Sequence, residues 1–226
     1  MMLTIWPSHF SGNHPTDLVY SSFRMNLEER ILNSHVVNRL REPRALPLVY
    51  FPDDRLNQVC LPVVTTTERT RQIATDMIFT MMVHHGIGLA GPQVGVPYRI
   101  FVVDIKWERD LKQAEPHVFI NPVVTPVNMA MGEGDLDQKD FQQSESKEGC
   151  LSFPNAHVRR PRYTAVHVKA TGMDGEVIDT VFHGLMARVV QHENDHLDGI
   201  TINKHLTPMQ RSMLRKGLKT VSHALR

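Results

Sequence analysis

A chain of 226 residues, 41% of them apolar, suits one domain with a proper core, or one domain with an appendage. Its formal charge of +1 gives the whole chain no electrostatic case for nucleic acid or membrane, and two cysteines exclude a disulfide scaffold. No apolar run approaches the ~20 residues of a membrane-spanning helix.

The apolar patch at residues 1–6 is too short for a secretory signal. The acids Asp17, Glu28, Glu29 and Glu42 argue against an organelle transit peptide. The cytoplasm is the expected compartment. Residues 1–45 read as an N-terminal extension of unknown role. Asn26 to Arg41 can form a helix, with Leu27, Ile31 and Leu32 on one side and then Val36 and Leu40, punctuated by Pro43 and Pro47.

From Leu46 the pattern becomes that of a domain. Val49 to Leu56 reads as an extended piece and a turn. Thr65 to Glu68 carries a capping-box pattern, and the helix it starts has Ile73, Met77, Ile78, Met81 and Met82 at core spacing. That helix should stop near Gly86. Gly86 to Gly95 is rich in small residues and holds one polar side chain, Gln93. Such a stretch is either a tight loop before a strand or a backbone edge on which an extended peptide could lie, with the Gln93 amide aimed at a substrate oxygen.

Arg99 to Asp104 and His117 to Asn121 are strand-like. Residues 130–147 are polar and read as a surface excursion ending at Glu148-Gly149-Cys150-Leu151-Ser152. Tyr163 to Thr171 and Glu176 to Val181 read as a hairpin turning at Gly172 to Gly175.

Gln191 to His196 contains H-E-x-x-H on a segment with Leu185, Met186, Val189 and Val190 at helical spacing. His192 and His196 then lie one turn apart on one face, and two imidazole nitrogens can meet at a divalent metal. Glu193 is placed to take a proton from water there. After Asp198 the chain has no acid. Lys204, Arg211, Arg215, Lys216, Lys219 and Arg226, with Leu214, Leu218, Val221 and Leu225, suit a basic amphipathic C-terminal helix. The order of elements predicts an α+β fold, with antiparallel β-sheets wrapped around a central metal-binding helix and a C-terminal helix.

A tetrahedral catalytic metal needs a third protein ligand. Extending the motif to H-E-x-x-H-x-x-G-x-x-H fails, because Ile202 stands where the third histidine belongs. A distant Glu, His or Cys remains. Cys150, in its Gly-Cys-Leu-Ser stretch, is the strongest of these, although a cysteine there is by itself more often plain core. Cys60, between Val59 and Leu61, reads as core.

Three stretches together resemble the peptide deformylases: Gly86-Ile87-Gly88-Leu89-Ala90-Gly91-Pro92-Gln93, Glu148-Gly149-Cys150-Leu151-Ser152, and Gln191-His192-Glu193-Asn194-Asp195-His196-Leu197-Asp198-Gly199. The resemblance implies a catalytic domain over 46–226 that removes the N-formyl group from the methionine of new proteins and releases formate. It implies Cys150, His192 and His196 as ligands of ferrous iron, with zinc, nickel or cobalt able to take the same site. Glu193 would be the general base and acid, and Gln93 with the Leu151 N–H the oxyanion donors. Ile87, Gly88, Glu148 and Gly149 would bind the N-formyl-methionyl nascent peptide, with Ile87 and Val190 toward its methionine. The basic tail suggests a ribosome contact. Two alternatives compete: a metalloprotease on an unrelated zinc fold, which needs a His or Glu third ligand, and a non-enzymatic relative of the deformylases.

Overall fold

The computed structural model describes residues 42–107, 113–127 and 141–214. Two helices and seven strands carry the architecture. Helix α1 spans Glu68–Val83 and α2 spans Gly184–Leu197. Strands β1 (Gly88–Ala90), β2 (Ile100–Val103), β3 (His117–Pro126), β6 (Ala165–Thr171) and β7 (Val177–His183) form one sheet in the order β1-β2-β3-β6-β7. Strands β4 (Gln143–Cys150) and β5 (Phe153–Tyr163) form a separate two-stranded ribbon. Every pairing is antiparallel.

Strand β2 is apolar at every position, Ile-Phe-Val-Val, and because successive side chains point to opposite faces it is buried on both. Ile100 and Val102 pack into a core with Met77, Ile78 and Met81 of α1. Phe101 and Val103 point the other way, into a core with Ala187, Val190 and Leu197 of α2. In that second core Phe101 meets Phe119 at a centroid distance of 4.9 Å. Helix α2 also touches the β5 ribbon, so it lies between the two sheets. A third cluster, including Phe51, Leu56, Phe153 and Ile202, seals the ribbon's far side. Cys60 is buried and free, as a core residue.

Helix α2 stops at Asp198, and Gly199 follows at φ +68°. A Cβ there would lie 2.5 Å from the Asn57 carbonyl oxygen, so the chain can pass only as glycine. This crossing brings Cys60 N–H onto the Leu197 carbonyl at 2.8 Å and ties the helix end to the early chain.

Three expectations need correction. The cap of α1 is Thr67, not Thr65. The Thr67 and Thr70 hydroxyls cap one another's backbone N–H groups, because a hydroxyl serves as well as the carboxylate of Glu68. Residues 143–147, read as part of a polar excursion, form the first five of the eight residues of β4; residues 128–140 lie outside the described set. Strand β5 was not expected. Its inward positions include Arg160 and Arg162, so charge stands where a strand pattern calls for apolar side chains.

Of the basic tail, residues 208–214 are helical and Leu214 is buried. The rest of that tail, and the N-terminal extension up to residue 41, lie outside the described residues. Among the described residues no helix is long and apolar enough to cross a membrane.

Candidate metal centre and catalytic site

Helix α2 buries Met186, Ala187, Val189 and Val190 in its first half, which fixes the rotation of its second half. His192 and His196 then project from one face into the interior, with ring centroids 5.1 Å apart. From the opposite side comes the end of β4. Its register slips between Gly149 and Cys150, so that Cys150 faces Phe153 across a tight turn. That bulge re-aims the cysteine, as bulges beside functional sites commonly do.

The Cys150 sulfur lies 3.3 Å from His196 Nε2. Ligand atoms of Cys150, His192 and His196 all fall within 4.8 Å of one another, and all three residues are buried. Metal bonds of ~2.3 Å to sulfur and ~2.0 Å to nitrogen, at a tetrahedral angle, separate the two donor atoms by ~3.5 Å. The cluster therefore fits a single first-row divalent cation with a fourth position open. The sulfur excludes a hard-ion site of the magnesium kind.

Gln93 belongs to a short 3-10 turn, Gly91–Val94. Its Oε1 accepts the Ala90 N–H at 2.7 Å, which leaves the amide nitrogen to donate toward the Cys150 sulfur at 3.4 Å. The side chain is thus clamped with N–H groups pointing at the ligand cluster. Leu151 follows Cys150 in the turn and lines the same cavity with Ile87, Gly88, Gly149, Val189 and Glu193.

Glu193 is buried, and its Oε2 has no hydrogen-bond partner. A buried carboxylate oxygen without a partner is costly and marks a site kept open for something else. Space for it is set by Gly88, where a Cβ would stand 2.3 Å from Glu193 Oε1 and 2.8 Å from a Val189 methyl. Burial pushes the Glu193 carboxyl up to about 7, against the pull of His192 and Arg162. Near neutral pH such a group can both accept and return a proton.

Behind the ligands lies a charged layer. Glu148 is fully buried and accepts from Arg162 through both oxygens, at 3.0 and 3.1 Å. Arg188 Nη1 donates to it at 2.6 Å, and its second oxygen meets His192 Nδ1 at 3.2 Å. Burial works against ionising Glu148, yet His192 and Arg162 hold its carboxyl well below the usual range. The bond to Nδ1 turns Nε2 of His192 toward the cluster, the arrangement by which a carboxylate orients a metal-binding imidazole. Burial likewise opposes charge on His192, but Cys150 and Glu148 push it up to about 10. His196 is held well below its ordinary value by burial and by His192, and so is neutral. Asp195 extends the layer, accepting from Arg162 at 2.8 Å and from Arg160.

With this geometry in hand, comparison with known proteins is decisive. The family model of polypeptide deformylase matches residues 45–212. The chain belongs to the peptide deformylase family. It is 36% identical over 180 residues to the peptide deformylase of Chromohalobacter salexigens, covering 80% of this chain and 96% of that one. It is 37% identical over 174 residues to that of Pseudomonas aeruginosa, covering 77% and 94%. The crystal structure of a peptide deformylase from Legionella pneumophila matches with a TM-score of 0.64 at 32% identity, over 80% of this chain and 97% of that one. That of the Ehrlichia chaffeensis enzyme in complex with actinonin matches with a TM-score of 0.65 at 30% identity, over 78% and 97%.

Against the expectations for a deformylase, Cys150, His192, His196, Glu193 and Gln93 converge on one buried point. Ile87, Gly88, Gly149 and Leu151 line the cavity beside it. Glu148 does not. Its side chain is wholly enclosed and its backbone pairs with Val158, so it orients His192 and contacts no open groove. Val190 also faces away, into the core behind β2, whereas Val189, one turn before Glu193, reaches the cavity. Arg162, Arg188 and Asp195 were not singled out from the sequence. Arg188, set inside an apolar helical stripe, was the available sign of a buried ion pair.

Proposed function

We infer that this chain hydrolyses the formamide of N-formyl-methionyl nascent peptides, releasing formate and a free amino terminus. One divalent ion is held by Cys150, His192 and His196. The observation that carries the reading is the enclosure of a Cys-His-His donor set by one unpartnered carboxylate and one clamped amide. When bound, the ion supplies Lewis acidity and a more acidic water. Glu193 takes the proton of the attacking water on its free oxygen and returns it to the departing amine. Gln93 Nε2 donates to the oxygen that gains negative charge, joined by the N–H of Leu151. Glu148, through His192 Nδ1, fixes the imidazole's tautomer and direction.

Ile87, Gly88 and Gly149 frame the formyl-methionyl end, and Ile87, Leu151 and Val189 give its side chain an apolar wall. The native ion in this reading is ferrous iron, as the family resemblance implies; a thiolate with two imidazoles suits zinc, nickel and cobalt as well. The catalytic unit is residues 46–226, acting in the cytoplasm. Its basic tail is a docking element toward the ribosome, and residues 1–45 are an appendage. The test is formate release from formyl-Met-Ala-Ser by the metal-loaded chain. Cys150→Ala should abolish both metal retention and activity, whereas Glu193→Gln should abolish activity and keep the metal. Retained activity in Cys150→Ala would assign the third ligand elsewhere.

A further inference from the structure

The ribbon that carries Cys150 breaks a local rule just outside the metal centre. Glu148 and Val158 are paired and point inward, both buried. One residue earlier on β4, Lys147 stands directly opposite Arg159 of β5, and both are exposed. Opposed residues of an antiparallel pair hold their Cβ atoms ~5 Å apart, and like charges so placed destabilise a sheet. Among the described residues neither cation forms an ion pair. Glu145 lies one pair further out on the same face, opposite Pro161, and makes none with them. The pair inward on that face is Gly149 with His157. Burial and Lys147 hold His157 below its ordinary value, so it is neutral at neutral pH and adds no third cation. Two opposed cations without a counter-charge mark a place where an anion from outside is the missing partner.

The position of the pair says which anion. Gly149, Cys150 and Leu151 form one wall of the catalytic cavity, and Gly86 to Gly88 form another. Beyond Leu151 the chain turns into Ser152 and Phe153, both buried, so the wall is sealed at that end. In the other direction β4 comes to the surface at Lys147. An extended peptide with its formyl group at the ligand cluster therefore leaves along β4 toward Lys147. Three residues of strand separate Lys147 from Cys150, ~10 Å, and an extended peptide covers that length at its third residue. The long side chains of Lys147 and Arg159 both reach such a position from the face that Gly149 shares.

We propose that Lys147 and Arg159 select substrates by charge, binding an acidic side chain at the third residue of the formyl-methionyl peptide. The inference rests on the deformylase reading above and adds to it a preference that the apolar wall of the cavity does not supply.

Formate release from formyl-Met-Ala-Glu, formyl-Met-Ala-Lys and the neutral formyl-Met-Ala-Ser by the metal-loaded full chain tests this. At low salt kcat/KM should favour the glutamate peptide over the lysine peptide ~tenfold, since two exposed charges act together. The difference should lie in KM, because the third residue is remote from the reacting carbon, and should shrink to ~twofold in ~0.5 M salt. In Lys147→Glu/Arg159→Glu the order of the two peptides should reverse, with metal content and melting temperature close to the parent's. Equal kcat/KM for the two peptides in the parent would overturn the proposal, and so would an unaltered preference in the double variant. A short RNA held by the parent and lost by the variant, with no peptide preference in either, would assign the pair to nucleic acid and overturn it too. No formate from any of the three peptides would remove the deformylase reading itself, and this inference with it.

Discussion

Replacing Gly88 by alanine isolates the role of Glu193 without touching a ligand. The added Cβ would sit 2.3 Å from Glu193 Oε1 and 2.8 Å from both its Cδ and a Val189 methyl. Ordinary contact begins near 3.4 Å, so the overlap is about an ångström. Neither the backbone at residue 88 nor the Val189 methyl can give easily. Gly88 is held in β1 opposite Val103, and Val189 belongs to the buried face of α2. The carboxylate must therefore swing away by ~1 Å, and such a misplacement at the reacting group costs ~10²-fold in rate. Overpacking adds ~1–3 kcal/mol of destabilisation. The assay is formate release, with metal content and a thermal melt measured on the same preparation. Gly88→Ala should lose ~10²-fold in kcat, bind its metal at full stoichiometry and melt a few degrees lower. A kcat within a few-fold of the parent, with the metal bound, would refute the claim that this glycine makes room for the catalytic carboxylate.

Gln93→Ala should lose ~10²–10³-fold in kcat with unchanged metal content, as steady-state kinetics beside metal analysis would show. Glu148→Gln removes the charge between Arg162, Arg188 and His192; it should cost ~3–5 kcal/mol in denaturant unfolding and ~10–100-fold in metal affinity by chelator competition. The same variant carries a pH signature. The Glu148 carboxyl is depressed below its unfolded value of 4.5, so its stabilisation is complete above that pH and drains away as pH falls further. The stability gap between parent and Glu148→Gln should accordingly narrow in acid. Finally, His192 is pushed up to about 10 by Cys150 and Glu148 against the effect of burial, so in the proposed site it would shed a proton on taking up a metal. Calorimetric zinc titration of the stripped protein in buffers of different ionisation heat should reveal proton release, with affinity falling as pH falls.

The parts of this site that were legible in the chain are those whose geometry is local. The turn-to-turn spacing of His192 and His196 follows from helix pitch, and the apolar stripe of α2 fixes which way they point. Cys150 is different. Its meeting with His196 spans 46 residues of sequence and depends on a register slip at the end of β4, which no pattern within one strand encodes. Only the co-occurrence of three motifs pointed to it. Strand β5 was hidden for a related reason: two of its inward positions are arginines, and inward charge defeats an apolar alternation.

Those inward charges set the environment of Glu148, which the sequence reading places among the substrate-binding residues and whose side chain the structure encloses. A glutamate two residues from Cys150 invites a role at the surface of the site, yet full burial of an ionised carboxylate is tolerable only with matched partners. Here the partners come from separate elements: Arg162 from β5, Arg188 and His192 from α2, with Glu148 itself on β4. The ribbon and the helix are thus locked together at the level of the ligands. A cluster of this kind fixes the strand end that carries Cys150 against the helix that carries His192 and His196. Charge pairing behind Cys150 and the two histidines is thus satisfied by Glu148, Arg162 and Arg188, while Oε2 of Glu193 stays buried without a hydrogen-bond partner.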